Sequence, residues 1–168
     1  MNRFLVLFAT LVVGLFVLEL LEPVRQAVIL PFTSLLADVS AAIMQRFDGD
    51  VMATEQIIRS RATGFAVEIL PGCNAVEALI ILFAAIFAFP ASLPHKLMGF
   101  VAGFFAVQIL NLVRIISLFY LGQWNMTAFE WFHKYLWQAF IMLDALIFWL
   151  LWLRYVDRRR GLTESPAG

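Results

Sequence analysis

The chain has 168 residues, of which 62% are hydrophobic and 14% are charged, and its formal net charge is +0. Soluble domains carry about 45–50% apolar and about 25% charged residues, so this composition indicates an integral membrane protein. The neutral balance argues against a broad basic face for nucleic acid. Because Cys73 is the only cysteine and there are only two histidines, we expect no disulfide framework, no metal and no cofactor.

Four segments are long and apolar enough to cross a membrane, since about 20 helical residues cover the hydrocarbon core of about 30 Å. The predicted spans are residues 4–22, 73–90, 97–121 and 133–153. We interpret the first as a retained signal anchor, because its apolar stretch exceeds the usual signal-peptide core of about 7–15 residues. The predicted fold class is an all-α integral membrane protein, with residues 1–160 as one polytopic domain and residues 161–168 as a disordered tail.

The connection between the first two spans has structure of its own. Apolar residues recur at steps of three and four between Phe32 and Phe47, which predicts an amphipathic helix over residues 32–47 in the outer interface. Pro31 is expected to break the segment 24–47, and if that segment spans instead, the first span must reverse. A turn at Asp48-Gly49-Asp50 and weak alternation over residues 65–70 favour a short outer loop or hairpin.

The basic residues near the span ends set the predicted orientation. Arg154, Arg158, Arg159 and Arg160 follow the last span, which places the C-terminus in the cytoplasm under the positive-inside rule. With four spans the N-terminus is also cytoplasmic. We therefore expect a multi-pass protein of the cytoplasmic (inner) membrane whose second and fourth spans begin at the extracytoplasmic face. Arginines in the first outer connection weigh against this orientation.

The single thiol stands where the second span begins. Cys73 follows Pro71-Gly72 and precedes an apolar run. At a helix N-terminus the unpaired N–H groups favour the thiolate, so we expect a lowered pKa and a candidate nucleophile. The alternative is a small buried core residue, since free cysteines are commonly buried.

An arginine lies within the third span. Arg114 follows Gln108 and Asn111 at steps of three, so the three share one side of a helix, which must face the bundle. An intramembrane arginine is either functional or paired. Glu77, one turn after Cys73, is the expected partner of Arg114, and Asn111 is expected to help hold it. A purely structural ion pair remains open.

His133 stands at the head of the fourth span. Thr127-x-x-Glu130 fits a capping box that would start the helix near Ala128. An ordinary interfacial residue within an aromatic belt is the alternative. Together Cys73, Arg114 and His133 would meet at the outer interface as nucleophile, oxyanion stabiliser and proton donor for acyl transfer.

Three motifs resemble those of the exosortase/archaeosortase family. The run from Glu68 to Glu77 (EILPGCNAVE) is similar to the cysteine motif, Asn111-Leu112-Val113-Arg114 to the N-x-x-R motif, and His133 to the family histidine. The resemblance covers residues 64–153. Many members have Cys-Ser-Gly where this chain has Cys73-Asn74-Ala75, and many have more spans. The chain is therefore similar to a short form such as the exosortase H subfamily.

The resemblance implies a membrane cysteine transpeptidase. Its partners would be exported proteins with a C-terminal motif, a hydrophobic helix and a basic tail, together with membrane lipid and an unidentified acceptor amine. A plain peptidase with water as acceptor is a second interpretation. A non-enzymatic membrane assembly or transport subunit, with Arg114 as a structural ion-pair residue, is a third.

Overall fold

The computed structural model describes residues 2–164, with side chains as far as Arg159. Helices dominate this part of the chain. They are α1 (Asn2–Leu20), α2 (Glu22–Val24), α3 (Leu30–Met44), α4 (Val76–Ala88), α5 (Leu93–Trp124), α6 (Met126–Trp131) and α7 (Trp137–Glu164). Two π-helical turns, Arg25–Ile29 and Phe132–Leu136, join α2 to α3 and α6 to α7.

Four helices in the described residues are long and apolar enough to cross a membrane: Asn2–Leu20, Glu22–Met44, Leu93–Trp124 and Met126–Arg159. This confirms the predicted fold class. The set differs from the predicted one in a single member, because α4 has only 13 residues, which is about 20 Å of helix. The predicted span 73–90 is thus only partly helical, and Glu22–Met44 has span length instead. The interfacial interpretation of residues 32–47 stays a prediction.

Pro31 does not break its helix, contrary to expectation. It is the second residue of α3, directly after the π-helical turn, in which the Leu30 N–H bonds to the Arg25 carbonyl. The π register shifts the hydrogen bonding beside a residue that has no N–H of its own to donate. The chain therefore continues as one helix from Glu22 to Met44.

Most of the apolar stripe of α3 points away from the rest of the protein, although Leu36 within it is buried. Leu35 is 56% exposed and Phe47, just beyond the helix, is 67% exposed, whereas Ala37, Ser40 and Ala41 are buried. In lipid, apolar side chains gain nothing by turning inward, and small or polar residues favour the helix contacts. The predicted helix is confirmed, and the buried residues of α3 are mainly small or polar ones outside the apolar stripe.

The connection between α3 and α4 forms a three-stranded antiparallel sheet in the order β1-β2-β3. The strands are β1 (Val51–Thr54), β2 (Ile57–Ser60) and β3 (Ala66–Glu68). This sheet is larger than the predicted hairpin. Its buried residues Val51, Ile58 and Ile69 share a core with Ile115 and Phe119 of α5. The sheet is thereby fixed to the end of α5 that lies beyond Arg114.

The other half of the bundle is centred on α4, which contacts α1, α5 and α7. Close approach depends on glycines in α5. A Cβ atom at Gly103 would lie 2.6 Å from Leu82 Cδ2 and 2.7 Å from Phe148 Cε1. Small residues at helix contacts are typical of membrane bundles. The packing holds the start of α4 beside the middle of α5, where the predicted site residues lie.

The end of the chain differs from expectation as well. Residues 161–164 continue α7, so this part of the predicted disordered tail is helical. Residues 165–168 lie outside the described part of the chain.

Candidate active site

A tight turn carries Cys73 from β3 into α4. Gly72 has a φ of +85° and Ala75, the N-cap of α4, has a φ of +61°. Glycine adopts such values without the steric penalty that a Cβ brings. The turn is held by the Val76 N–H, which donates to Asn74 Oδ1 at 3.1 Å. Cys73 consequently lies three residues before the helix and not within its first turn.

The structure brings the three predicted catalytic candidates together. The Sγ atom of Cys73 lies 3.7 Å from Nη2 of Arg114 and 3.9 Å from Nε2 of His133. The cysteine comes from the turn before α4, the arginine from α5 and the histidine from the π-helical turn Phe132–Leu136. One thiol therefore touches both a cation and an imidazole.

Arg114 is only 2% exposed, and its guanidinium group bonds to the turn that precedes α4. Its Nη1 donates to the Gly72 carbonyl at 3.5 Å. The expected ion pair with Glu77 is not found within the described residues, where the exposed pairs Arg25–Glu22 and Lys134–Glu130 do form. Arg114 donates to the Gly72 carbonyl and to the thiol instead, while Glu77 Oε1 lies 3.9 Å from the position that a Cβ atom on Gly72 would take.

Asn111 acts on a different neighbour than predicted. Its Nδ2 donates to Gln108 Oε1 at 3.4 Å, and Gln108 Nε2 donates to the Asn74 carbonyl at 3.2 Å. The chain of bonds from α5 thus holds the residue after Cys73, not Arg114. Asn111 Oδ1 is buried and has no hydrogen-bond partner within the described residues.

Two positioning residues were missed by the sequence analysis. Asn74 is fully buried, and its Nδ2 donates to Thr33 Oγ1 at 3.1 Å. Thr33 in turn donates to the Ile29 carbonyl. Asparagine directly ahead of an apolar helix is typical of a cap, and this signal was available for Asn74. Nothing in the sequence pattern links Thr33 to a turn some 40 residues further along the chain.

His133 is positioned by an irregular helix. Asn125, not Thr127, caps α6, because Asn125 Oδ1 accepts from the Ala128 N–H at 3.0 Å. The predicted capping box was therefore wrong by two residues. The Phe129 ring lies parallel to the imidazole with centroids 5.6 Å apart. π-helical turns interrupt α-helices frequently at functional sites, and this one directs Nε2 of His133 towards Cys73.

A cavity of about 300 Å³ opens beside these three side chains. It is lined by Cys73, Arg114 and His133 and by the residues of β3. Leu118 of α5 and Phe129 of α6 add apolar surface. Within residues 2–164, no group of three His, Cys, Asp or Glu side chains is placed to hold a metal ion. The cavity combines apolar walls with one polar, reactive corner.

Burial raises the pKa of the Cys73 thiol, contrary to the expected decrease. Burial removes hydration from the thiolate, and the nearby Glu77 carboxylate adds to the increase, while Arg114 and a hydrogen bond from Leu70 oppose it. The helix N-terminus contributes less than predicted because the thiol lies outside the first turn of α4. At neutral pH the thiol keeps its proton, so activation requires a base, and His133 is within reach.

The raised pKa of Cys73 predicts how the alkylation of its thiol depends on pH. Iodoacetamide alkylation of Cys73 should rise with pH to a midpoint above the ordinary cysteine pKa of about 8.5, since only the thiolate reacts. Arg114→Gln should move the midpoint higher still, because it removes the charge that favours the thiolate. Mass spectrometry of the Cys73 peptide measures the rate, and the SDS-unfolded chain is the control. A midpoint below about 8.5 in the folded chain would contradict the prediction.

The fold and the site define a multi-pass membrane protein in which a buried arginine lies beside a half-buried cysteine and a half-buried histidine. The model of the family described as transmembrane exosortase (Exosortase_EpsH) matches residues 2–153. The chain therefore belongs to the transmembrane exosortase family, which confirms the resemblance seen in its motifs. Comparison with curated proteins and with solved structures gives no match.

Proposed function

We propose that this exosortase-family protein is a membrane cysteine transpeptidase that cuts the C-terminal sorting signals of exported proteins. The observation that carries the proposal is the contact of Cys73 Sγ with both Arg114 and His133, at 3.7 and 3.9 Å. Membership of the transmembrane exosortase family supports the same chemistry. The substrates would carry a short motif, a hydrophobic helix and a basic tail.

In the acylation step, His133 Nε2 accepts the thiol proton while Cys73 Sγ attacks the scissile carbonyl carbon. The carbonyl oxygen becomes an oxyanion, and Arg114 offers it a buried positive charge. His133 then gives its proton to the departing amine, and the C–N bond breaks. The products are a thioester on Cys73 and the released tail with a free amino group.

In the second step an acceptor amine attacks the thioester carbonyl and loses a proton to His133. The C–S bond breaks, the sulfur takes the proton back, and the substrate leaves with a new amide at its C-terminus. If water attacks instead, the same residues give a free carboxylate. The acceptor decides between transpeptidase and peptidase, and both begin with the same thioester.

The most direct test compares the C-terminal peptides of exported proteins in cells with and without the chain. Shortened tails only where the chain is present would support the proposal. An added group at the new C-terminus indicates transfer, and a free carboxylate indicates hydrolysis. Hydroxylamine added to membranes should capture the thioester as a C-terminal hydroxamate. Identical termini across all exported proteins would contradict the proposal.

A second candidate function is a non-enzymatic membrane assembly subunit. The observation in its favour is that Arg114 donates to the Gly72 carbonyl and thus holds the turn. This role predicts that Cys73→Ala is silent while Arg114→Ala destabilises the protein. Substitution of Cys73 therefore distinguishes the enzyme hypothesis from the subunit hypothesis, whereas substitution of Arg114 does not.

We place the proposed site at the extracytoplasmic face of the inner membrane. His133 and the basic residues Arg154, Arg158 and Arg159 lie near opposite ends of the helix that contains α7, more than 30 Å apart at about 1.5 Å per residue. The positive-inside rule then puts the basic end in the cytoplasm.

A membrane-impermeant maleimide should report this sidedness, because Cys73 is the only thiol. We expect labelling of Cys73 in intact spheroplasts at a rate close to that in opened membranes. Cys73→Ser is the background control. Labelling of inverted vesicles alone would contradict the orientation, and detergent-opened membranes show whether the thiol is accessible to the reagent.

A further inference from the structure

One strand of the small sheet lines the cavity and has a free edge. β3 is at the end of the strand order β1-β2-β3. Its pairing with β2 has a defined register: the Ser60 N–H donates to the Phe65 carbonyl, the Ile69 N–H donates to the Gln56 carbonyl, and Ile58 faces Val67. The backbone N–H and C=O groups of Phe65, Val67 and Ile69 therefore point towards β2.

In an antiparallel ladder the intervening residues point their N–H and C=O groups the opposite way. Ala66 and Glu68 are those residues, and both are exposed. Within residues 2–164 no hydrogen-bond partner is found for their backbone groups. Both also line the cavity that contains Cys73. The edge thus presents two donors and two acceptors beside the reactive thiol.

From this geometry we propose that the substrate binds as a fourth strand on the free edge of β3. An unpaired strand edge is a template for an extended peptide, whose main chain supplies the complementary groups. The proposal rests on the proposed function and deepens it by naming how the substrate is recognised. The occupant is an extended stretch of polypeptide that includes the scissile bond.

The path of the chain brings the free edge of β3 close to Cys73. After Glu68 only four residues separate the strand from Cys73, and both flank the same cavity. Neighbouring strands lie about 4.8 Å apart, so a peptide paired with β3 runs directly alongside the cavity. Its alternate side chains would face the apolar walls formed by Leu118 and Phe129. A lipid acyl chain in the same place would leave the edge N–H groups unsatisfied.

Backbone N-methylation of the substrate tests the pairing without altering the protein. The probe is a synthetic peptide that covers the mapped cleavage site, with one amide methylated at a time. Only every second N–H of a paired strand faces β3. We expect cleavage by the purified full chain to fall roughly two- to tenfold at alternate positions. A response that is flat or lacks the period of two would overturn the proposal.

The matched test in the protein uses two prolines. Ala66→Pro removes an N–H that points to the free edge and leaves the bonds to β2 intact, as edge positions tolerate. Ala53→Pro is the control, because the register points the Ala53 N–H to the free edge of β1, on the opposite side of the sheet. We expect Ala66→Pro to reduce tail processing roughly tenfold and Ala53→Pro to leave it unchanged. The rate of Cys73 alkylation by iodoacetamide monitors the folded site in both.

The outcomes separate the two proposals. If Cys73→Ala abolishes processing and Ala66→Pro does not impair it, strand pairing is overturned and the enzyme proposal stands. Continued processing by Cys73→Ala overturns both. If Ala66→Pro loses the wild-type alkylation rate, the decision falls to the N-methylated peptides, which use the wild-type chain.

Discussion

Replacing Cys73 with alanine is expected to leave the C-terminal tails of exported substrates uncut. The thioester cannot form without the sulfur, and removal of an essential nucleophile costs on the order of 10⁴-fold or more. Cys73→Ser should also fail, because a hydroxyl is a far weaker acid than a thiol and His133 must remove its proton. Mass spectrometry of substrate C-termini at matched membrane levels measures the effect.

The fold should tolerate both changes, which makes the test decisive. Cys73 is at a turn and is only half-buried at the edge of the core, so alanine and serine, which are both slightly smaller, leave little space unfilled. Equal membrane levels and equal melting temperatures in detergent are the controls. Processing at the wild-type rate by Cys73→Ala would sink the enzyme proposal and favour the assembly subunit.

The convergence of Cys73, Arg114 and His133 was predictable because each residue type is unusual where it stands. A buried arginine on a polar stripe must face the bundle, and the cysteine and histidine both stand near the head of an apolar helix. What periodicity alone could not supply is the contact between residues 60 positions apart. That step came from the predicted topology, which put Cys73, Arg114 and His133 at the same membrane face, and the 3.9 Å distance agrees with it.

The errors have physical causes of their own. Pro31 was expected to break the segment 24–47, but the π-helical turn directly before α3 accommodates a residue that has no N–H to donate. The ion pair of Arg114 with Glu77 was inferred from similar depth, yet the Gly72 carbonyl satisfies the guanidinium. Depth along a helix is readable from sequence. The direction of a side chain around a turn with two positive φ angles is not.

The raised pKa of Cys73 follows from the same turn. The sequence places Cys73 directly before an apolar helix, which suggests that the N-terminus of the helix stabilises the thiolate and lowers the pKa of Cys73. The structure starts α4 at Val76 and partly buries the thiol among protein groups. Desolvation then raises the pKa of the thiol, so the proposed mechanism needs Arg114 and His133 to make it reactive.

Arg114→Gln is expected to reduce processing by roughly 10²- to 10³-fold, the range seen when a single oxyanion-stabilising group is lost. Arg114→Lys keeps the charge but not the planar fork that reaches both Gly72 and Cys73. We therefore expect Lys to restore only part of the rate. Turnover of the synthetic peptide, with kcat and KM measured separately, checks both variants.

Arg25→Gln is the matched control, because Arg25 is an exposed arginine that pairs with Glu22, and neither residue lines the cavity. A purely structural Arg114 would lower the melting temperature and the membrane level, and Lys would repair little of either. An oxyanion role instead lowers kcat at unchanged stability and slows Cys73 alkylation at neutral pH, since the thiolate loses its cation. If Arg114→Gln keeps the wild-type kcat, stabilisation of the oxyanion must come from another group.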